Sequence, residues 1–356
     1  MDIKYTSSIS HETWNFSQLI VKNRFIEALN NGVTRYPIYR ELRFAARMDL
    51  ATLFDRIALN PVWQTQRINT RSLILDANGM FVSGSGGRTR DYSSCSFDIW
   101  AESSDMADLV IKTLLEHVGS ARIDDPMFSI DWNFLTPKGE LESAEIEELA
   151  DDILYDEAYP NIKEGVNQFI RRYLDSEETV LVLQGAPGTG KTRFIRAILG
   201  EISRRNEGEA SALYTGDIKA LENDEIFVKF VTGWDDAFVI EDADHLLTPR
   251  AKGNEDLHRF LAIADGVIRA QGRKIIFSTN LPNLKDIDDA LIRPGRCFAR
   301  LNTRELNKTE SDRLLKRLCA ERDIPQMKIE DKASKAARPK YTLADIYKSL
   351  GKNSIK

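Results

Sequence analysis

The chain has 356 residues, of which 42% are hydrophobic and 29% are charged, and its formal net charge is −6. This composition excludes a wholly disordered chain, and the length predicts about two domains, or three with a small appendage. Three widely spaced cysteines argue against a disulfide framework or a zinc cluster, and no apolar run reaches the roughly 18 residues of a membrane span, so we expect a cytoplasmic protein without a membrane partner.

The first predicted elements are helices. Apolar residues recur every three or four positions across residues 16–58, which is typical of amphipathic helices. The pattern then changes, and residues 72–82 predict two short strands around a turn at Asn78 and Gly79, since an Asn-Gly pair favours a tight hairpin. The glycine-rich residues 83–88 that follow are predicted to form a flexible hairpin loop.

A strand, a helix and a second strand are predicted next, over residues 95–101, 103–119 and 127–135. The serines at the start of the helix suit its N-cap. We therefore expect an α+β domain over residues 1–138, which ends at the Pro and Gly of residues 136–140.

Charge is distributed unevenly along the rest of the chain. Residues 139–162 contain nine carboxylates and no Lys or Arg, and the spacing of residues 141–158 favours a helix. From Arg293 to the C-terminus there are 17 basic and 8 acidic residues, a net charge of +9. Such a basic region can bind nucleic acid, or it can pair with the acidic surface of the same protein, and the sequence leaves both open.

From about residue 163 strands and helices alternate, which predicts a parallel sheet covered by helices on both faces. A short apolar strand over residues 179–183 leads into a loop and then an amphipathic helix, and the loop fits G-x-x-x-x-G-K-[ST]. Its backbone N–H groups and the helix N-terminus suit phosphate oxygens, Lys191 would reach the β- and γ-phosphates, and the Thr192 hydroxyl would bind Mg²⁺. The predicted nucleotide-binding residues are Gly185, Ala186, Pro187, Gly188, Thr189, Gly190, Lys191, Thr192 and Arg193.

A second strand over residues 237–240 ends in two carboxylates, Glu241 and Asp242. In P-loop ATPases the first acid usually holds the metal, in part through water, and the second polarises the attacking water. The common order is Asp then Glu, so here Glu241 takes the metal side and the shorter Asp242 takes the base side. The reversed order also leaves open a degenerate site that does not hydrolyse ATP.

Two further segments offer polar groups for phosphate chemistry. A strand over residues 274–280 ends at Asn280, whose amide can position a water beside the γ-phosphate, although taken alone this residue fits a strand-end turn equally well. Arg293 and Arg296 flank a Pro-Gly turn, and their planar, permanently charged guanidinium groups suit phosphate oxygens, although arginines taken alone are more often surface residues. Together with Glu241 and Asp242 they complete the set of predicted catalytic residues.

Taken together, residues 155–350 resemble the AAA+ ATPases, with GAPGTGKT similar to Walker A, FVIEDAD to Walker B, IIFSTN to the sensor-1 strand and DDALIRPGR to the arginine-finger segment. Residues 257–267 and 290–296 are similar to the AAA clade, and the Glu-Asp order resembles the BCS1-like branch. The resemblance implies an α/β fold: a P-loop AAA+ module with a parallel sheet between helices over residues 139–301, a small basic helical lid over residues 302–356, and the α+β domain before them.

The resemblance also implies function. It implies ATP and Mg²⁺ as cofactors and a homo-oligomeric ring, a hexamer, in which Arg293 and Arg296 act on the nucleotide of the neighbouring subunit. The principal hypothesis is an ATP-hydrolysing ring that remodels a protein partner bound by the N-terminal domain. The alternatives are a nucleotide-gated assembly or signalling switch with slow turnover, and a DNA-associated motor or loader, which is not favoured.

This sequence departs from the family at two points. It lacks the N-terminal membrane helix of the BCS1-like translocases, so membrane translocation is not carried over. No aromatic residue follows Tyr214 in residues 215–223, where unfoldases place a pore-loop aromatic, so threading by aromatic side chains is not carried over either.

Overall fold

The chain forms two compact units, Met1–Asp125 and Pro126–Lys356. The computed structural model describes residues 19–23, 26, 36–88, 91–206, 210–249, 260, 272–282, 287–326 and 340–351. Most of the predicted helical segment 16–35, and residues 257–267 apart from Phe260, therefore lie outside the described residues. Within the described ranges, no helix combines the length and the apolar character needed to cross a membrane.

The first unit is an antiparallel sheet with helices packed on it, in agreement with the predicted α+β class. Helix α1 begins after Asp49 and α2 after Ser103, and each of these side chains accepts a hydrogen bond from a backbone N–H of the first turn. Their apolar faces pack on one face of the sheet. The strand order is β2-β3-β4-β5-β1-β6, and the elements are β1 (Ile38–Ala46), α1 (Leu50–Ala58), β2 (Gln64–Asn69), β3 (Ser72–Ala77), β4 (Met80–Arg88), β5 (Ser93–Ala101), α2 (Ser104–Val118) and β6 (Arg122–Ile123).

Two predictions for this unit are wrong, and the predicted strand over residues 95–101, the helix over residues 103–119 and the hairpin at Gly79 are confirmed. The residues of β1 were expected to be helical, but β1 pairs with β5 along its whole length, and this pairing outweighs the helical spacing. Residues 83–88 lie within β4 rather than in a loop, and a Cβ at Gly86 would come within 2.4 Å of the Ser94 carbonyl oxygen, so glycine there permits close strand contact. The hairpin at Gly79, with φ +76°, is as expected.

The second unit contains a mostly parallel sheet of seven strands in the order β13-β9-β12-β11-β10-β7-β8. The first of its strands in the chain, β7, pairs in parallel with β10 and antiparallel with β8. The strands are β7 (Met127–Leu135), β8 (Leu141–Leu149), β9 (Val180–Gln184), β10 (Ser211–Thr215), β11 (Ala237–Ile240), β12 (Lys274–Thr279) and β13 (Cys297–Asn302).

The pairing of strands β7 and β8 shows that two of the sequence predictions are wrong. Because β7 joins the second sheet, the two units divide at Asp125, before the predicted boundary at residue 138. Of the acidic segment 141–158, which was expected to be helical, residues 141–149 form the strand β8, because each of them pairs with a residue of β7, and only Asp156–Ala158 form a short 3₁₀ helix.

Helices cover both faces of this sheet, as the alternation of strands and helices predicts. Side chains of one β9 face, including Leu181 and Leu183, pack with α3, α4, α8 and α9, whose bounds are Val166–Asp175, Lys191–Arg205, Lys308–Glu321 and Leu343–Gly351. Val180 and Val182 point to the other face and pack with α5 (Ile218–Glu222), α6 (Asp224–Thr232) and α7 (Asp244–Leu247). A two-stranded sheet of β14 (Leu306–Asn307) and β15 (Lys340–Tyr341) lies beside α8.

The described part of the predicted lid, residues 302–356, thus consists of α8, α9 and the small sheet. Its buried side chains, such as Leu314 and Ile346, belong to the same core cluster as Phe194 of α4. The two-unit division does not separate it from the sheet, and a separate lid subdomain stays a prediction.

Candidate nucleotide-binding site

The loop between β9 and α4 forms the centre of the site. Gly188 and Gly190 have φ values of +78° and +95°, in the left-handed region that favours glycine. Gly185 is required for a different reason, because a Cβ there would lie 2.0 Å from the carbonyl oxygen of Thr303, just after β13. Two glycines of the motif therefore set the path of the backbone, and the other permits close packing.

Side chains also hold this loop in shape. The Thr189 hydroxyl donates to the Ala186 carbonyl at 2.7 Å and shares a hydrogen bond of 2.8 Å with the Thr303 hydroxyl. The Tyr159 hydroxyl donates to the Gly190 carbonyl at 3.0 Å. These hydrogen bonds restrict the conformation of the loop, and a loop restricted to its binding conformation loses less entropy on binding.

Lys191 begins α4 and has only 8% of its surface exposed. Its Nζ donates to the carbonyl oxygens of Gly185 at 2.6 Å and Ala186 at 3.2 Å, and to Oδ1 of Asn280 at 2.8 Å. Burial lowers the pKa of Lys191, and the nearby Asp242 and Glu241 oppose this shift. A buried ammonium group held by neutral oxygens is well placed to attract an anion.

Thr192 and Glu241 form a hydrogen-bonded pair beside Lys191. The Thr192 hydroxyl donates to Oε1 of Glu241 at 2.6 Å, and the Tyr214 hydroxyl donates to Oε2 at 2.8 Å. Carboxylate and hydroxyl oxygens are the ligands that Mg²⁺ prefers, so this pair fits the predicted metal position.

Asp242 has an unusual backbone, with φ +51° in the left-handed region. Non-glycine residues adopt this conformation rarely, and such residues cluster at functional sites. Its N–H donates to the Ser278 hydroxyl at 3.3 Å, and its Oδ1 accepts from Nδ2 of Asn280 at 2.9 Å. Asn280 therefore connects Lys191 to Asp242 through its two amide atoms.

Asp244 holds the end of β12 in place. Its Oδ1 accepts from the Thr279 hydroxyl at 2.5 Å and from the Asn280 N–H at 2.8 Å. These hydrogen bonds fix the backbone from which the Asn280 side chain extends.

Nine of the predicted residues line one cavity of about 470 Å³, whereas Gly185, Ala186 and Thr189 of the loop are not among its lining residues. Arg193 lies at its edge, 4.4 Å from the centre of the Tyr347 ring, and its Nε donates to Asp152 at 3.3 Å. Sequence reasoning missed four residues of the lining: Ser278 lies within the predicted strand that ends at Asn280, and the other three come from the C-terminal segment, where no motif marks them. The predicted lining residues are Pro187, Gly188, Gly190, Lys191, Thr192, Arg193, Glu241, Asp242 and Asn280, and those missed are Ser278, Leu343, Ala344 and Tyr347.

The two arginines predicted to be catalytic are not among the described residues that line this cavity. Arg293 is exposed. Arg296 is partly buried, and its Nη1 donates to the Ala290 carbonyl at 2.8 Å.

Comparison with known proteins agrees with this geometry. Residues 181–305, from β9 to just beyond β13, match the family model described as "ATPase family associated with various cellular activities (AAA)". This segment is an AAA ATPase domain. The match spans the loop, both acidic residues, Asn280 and the arginine turn, so the AAA+ resemblance is supported for this domain, whereas the BCS1-like assignment stays a prediction.

One curated relative of the AAA domain is the ATP-dependent zinc metalloprotease FTSH 11, chloroplastic/mitochondrial, of Arabidopsis thaliana. The two are 31% identical over 124 residues, which is 33% of this chain. The aligned segment spans only 15% of the length of that relative.

Proposed function

We propose that the AAA domain is a Mg²⁺-dependent ATPase. The observation that best supports this is the hydrogen-bonded series from Lys191 through Asn280 to Asp242, beside the Thr192–Glu241 pair and around a single cavity. Lys191 and the loop N–H groups would hold the phosphates, and Thr192 and Glu241 would hold Mg²⁺, in part through water. When bound, Mg²⁺ neutralises charge on the phosphate oxygens.

Asp242 is the proposed general base. Asn280 donates to one of its oxygens, which orients the carboxylate, and the left-handed backbone fixes its direction relative to β11. The short aspartate side chain has few rotamers, so these two constraints suffice to hold it. A carboxylate held in this way accepts a proton from water as the water attacks.

The experiment that tests this role replaces Asp242 with Asn. D242N should bind Mg-ATP with parental affinity and lose turnover, because the amide cannot accept the proton. D236N, at the opposite end of β11, is the matched control and should hydrolyse ATP. Calorimetry measures binding, and phosphate release measures turnover. Parental turnover in D242N would refute the assignment of the base.

We further propose that the protein acts as a homo-oligomeric ring, of six subunits by its resemblance to the family. The exposed Arg293 and the arginine turn would then complete the site of the neighbouring subunit. Arginines supplied by a partner increase phosphoryl-transfer rates by about 10³–10⁵-fold. R293A should therefore bind ATP but hydrolyse it slowly.

Mixing subunits tests this arrangement. R293A mixed with K191A should recover part of the activity, because some interfaces combine an intact loop with an intact arginine. Mass photometry first establishes that mixed oligomers form. Mixed oligomers without any recovery would contradict action between subunits.

We propose a protein as the partner that the ring remodels, bound by the first unit. Stimulation of ATP turnover by protein would support this. Stimulation by DNA would instead support the loader hypothesis, since the net charge of +9 over residues 293–356 is compatible with DNA binding. Stoichiometric action with negligible turnover would support the switch. An affinity capture with D242N and ATP identifies the partner, and D242N without ATP is its control.

A further inference from the structure

Tyr214 lies on the strand next to β11, and its side chain contacts the carboxylate of Glu241, the acid proposed to hold the metal. It lies in β10, which pairs in parallel with β11, and its register partner is Val239. Its hydroxyl donates to Oε2 of Glu241 at 2.8 Å, while the Thr192 hydroxyl donates to Oε1 at 2.6 Å. Both oxygens of one carboxylate are therefore held by donors from two different elements of the fold.

The length of the acid explains why two donors matter. Glutamate has one methylene and one rotatable bond more than aspartate, so fixing its carboxylate costs more conformational entropy. A single hydrogen bond from Thr192 leaves the carboxylate free to rotate about that contact. The second bond from Tyr214 removes this freedom.

The phenol ring of Tyr214 is itself well fixed. It is partly buried and packs against the core cluster that contains α4. It also lines a second cavity of about 680 Å³, together with Glu241 and apolar side chains such as Ile130 and Val239.

We propose that Tyr214 is a positioning residue for the magnesium-side acid: by holding Oε2 it adapts the site to glutamate in place of the shorter aspartate and sets the metal affinity. This inference rests on the proposed function. It assigns Tyr214 no direct contact with nucleotide or metal.

The test removes only the hydroxyl. Partners that orient a metal ligand typically contribute about 10–100-fold in metal affinity or activity, so Y214F should weaken metal binding within that range. Mn²⁺ binding in the presence of a non-hydrolysable ATP analogue, followed by electron paramagnetic resonance, measures this without turnover. The analogue itself, measured without metal, should bind Y214F as tightly as the parent.

A matched control exists in the first unit, where the Tyr39 hydroxyl donates to Oδ1 of Asp98 at 2.7 Å. Y39F also removes a tyrosine–carboxylate hydrogen bond and should leave Mn²⁺ binding unchanged. In steady-state assays, Y214F should need more Mg²⁺ for half-maximal activity and should approach the parental rate at saturating Mg²⁺.

A double-mutant cycle separates positioning from a merely structural role. In the E241D background the shorter acid cannot keep both contacts, so adding Y214F should change metal affinity much less than it does in the parent. Equal losses in both backgrounds, or parental Mn²⁺ affinity in Y214F, would overturn the inference about Tyr214. A parent that binds no Mn²⁺ with the analogue would overturn the proposed function as well.

Discussion

The two ends of the parallel sheet in the second unit differ in an instructive way. Each end has a buried lysine and a carboxylate next to β11: Lys191 and Asp242 at the carboxyl ends of the strands, Lys274 and Asp236 at the amino ends. The burial of the two lysines would not distinguish the two ends. Their hydrogen-bond partners do.

At the amino end, the charged groups are bound by the backbone of neighbouring segments. Nζ of Lys274 donates to the carbonyls of Ser176 at 2.8 Å and Glu178 at 3.1 Å, and it lies 4.9 Å from the centre of the Tyr173 ring. Asp236 accepts from the Ser211 N–H at 3.0 Å. At the carboxyl end, the corresponding groups face a cavity of about 470 Å³. Open space next to a buried charge, rather than the burial itself, therefore distinguishes a ligand site from a structural one.

The largest expected effect is a loss of ATP affinity on replacement of Lys191 but not of Lys274. K191A removes the ammonium group that is proposed to face the phosphates, and a hydrogen bond to a charged group is worth about 1.5–3 kcal/mol, so ATP affinity should fall by about 10–150-fold. K274A should leave ATP affinity unchanged and lower the free energy of unfolding. Calorimetry and urea denaturation measure the two quantities, and K316A, an exposed lysine on α8, is the control. Equal loss of ATP affinity in K191A and K274A would contradict the comparison.

A smaller effect is expected on ATP turnover, which should fall on replacement of Asp244 but not of Asp236. D244A leaves the Thr279 hydroxyl and the Asn280 N–H without their acceptor, so Asn280 should lose its position and turnover should fall by about 10-fold or more, as for loss of a residue that orients a reacting group. D236A should lower the free energy of unfolding by about 1–3 kcal/mol with little change in turnover. Steady-state ATPase assays and urea denaturation of both variants test this, and a reversed pattern would refute it.

The smallest effect is a pH dependence at the amino end. Burial lowers the pKa of Lys274 from 10.5 to about 8. As the pH rises through about 8, the folded protein releases this proton while the unfolded chain keeps it until about 10.4, so this group makes stability rise with pH over that window. The stability of the parent relative to K274M should therefore increase from about pH 7 to about pH 9.5 in denaturation experiments. If the difference in the free energy of unfolding between the parent and K274M stayed constant over this pH range, burial would not lower the pKa of Lys274.

The sequence indicates the residues on one side of the cavity and not those on the other. Lys191, Thr192, Glu241, Asp242 and Asn280 were expected to lie together because each follows a recognisable strand, and the carboxyl ends of parallel strands meet at one edge of the sheet; all five line the cavity. Residues that approach from elsewhere carry no local signal, since only the folded chain brings them to the loop. These are Tyr159, Tyr214, Thr303 and Tyr347.

The fold predictions failed where pairing decides the structure. The apolar residues of β1 and β8 fit helical spacing, and nothing within either segment indicates the partner strand. β8 is a strand because β7 offers a complete set of partners, and β7 itself was placed in the wrong unit because its parallel partner β10 lies about 80 residues further along the chain.

The acidic strand β8 also affects how copies of the protein behave at high concentration. In the described part of the chain it is the last strand of its sheet, and such a strand offers unpaired N–H and C=O groups to another copy. Two such strands would pair about 4.8 Å apart, which brings their rows of glutamates together. Repulsion acts over the screening length of about 8 Å at physiological ionic strength, but over only about 3 Å in 1 M salt. We therefore expect colloidal stability to be greatest in dilute buffer, and concentrated salt to favour edge-to-edge association. The glutamates on β8 are Glu142, Glu145, Glu147 and Glu148.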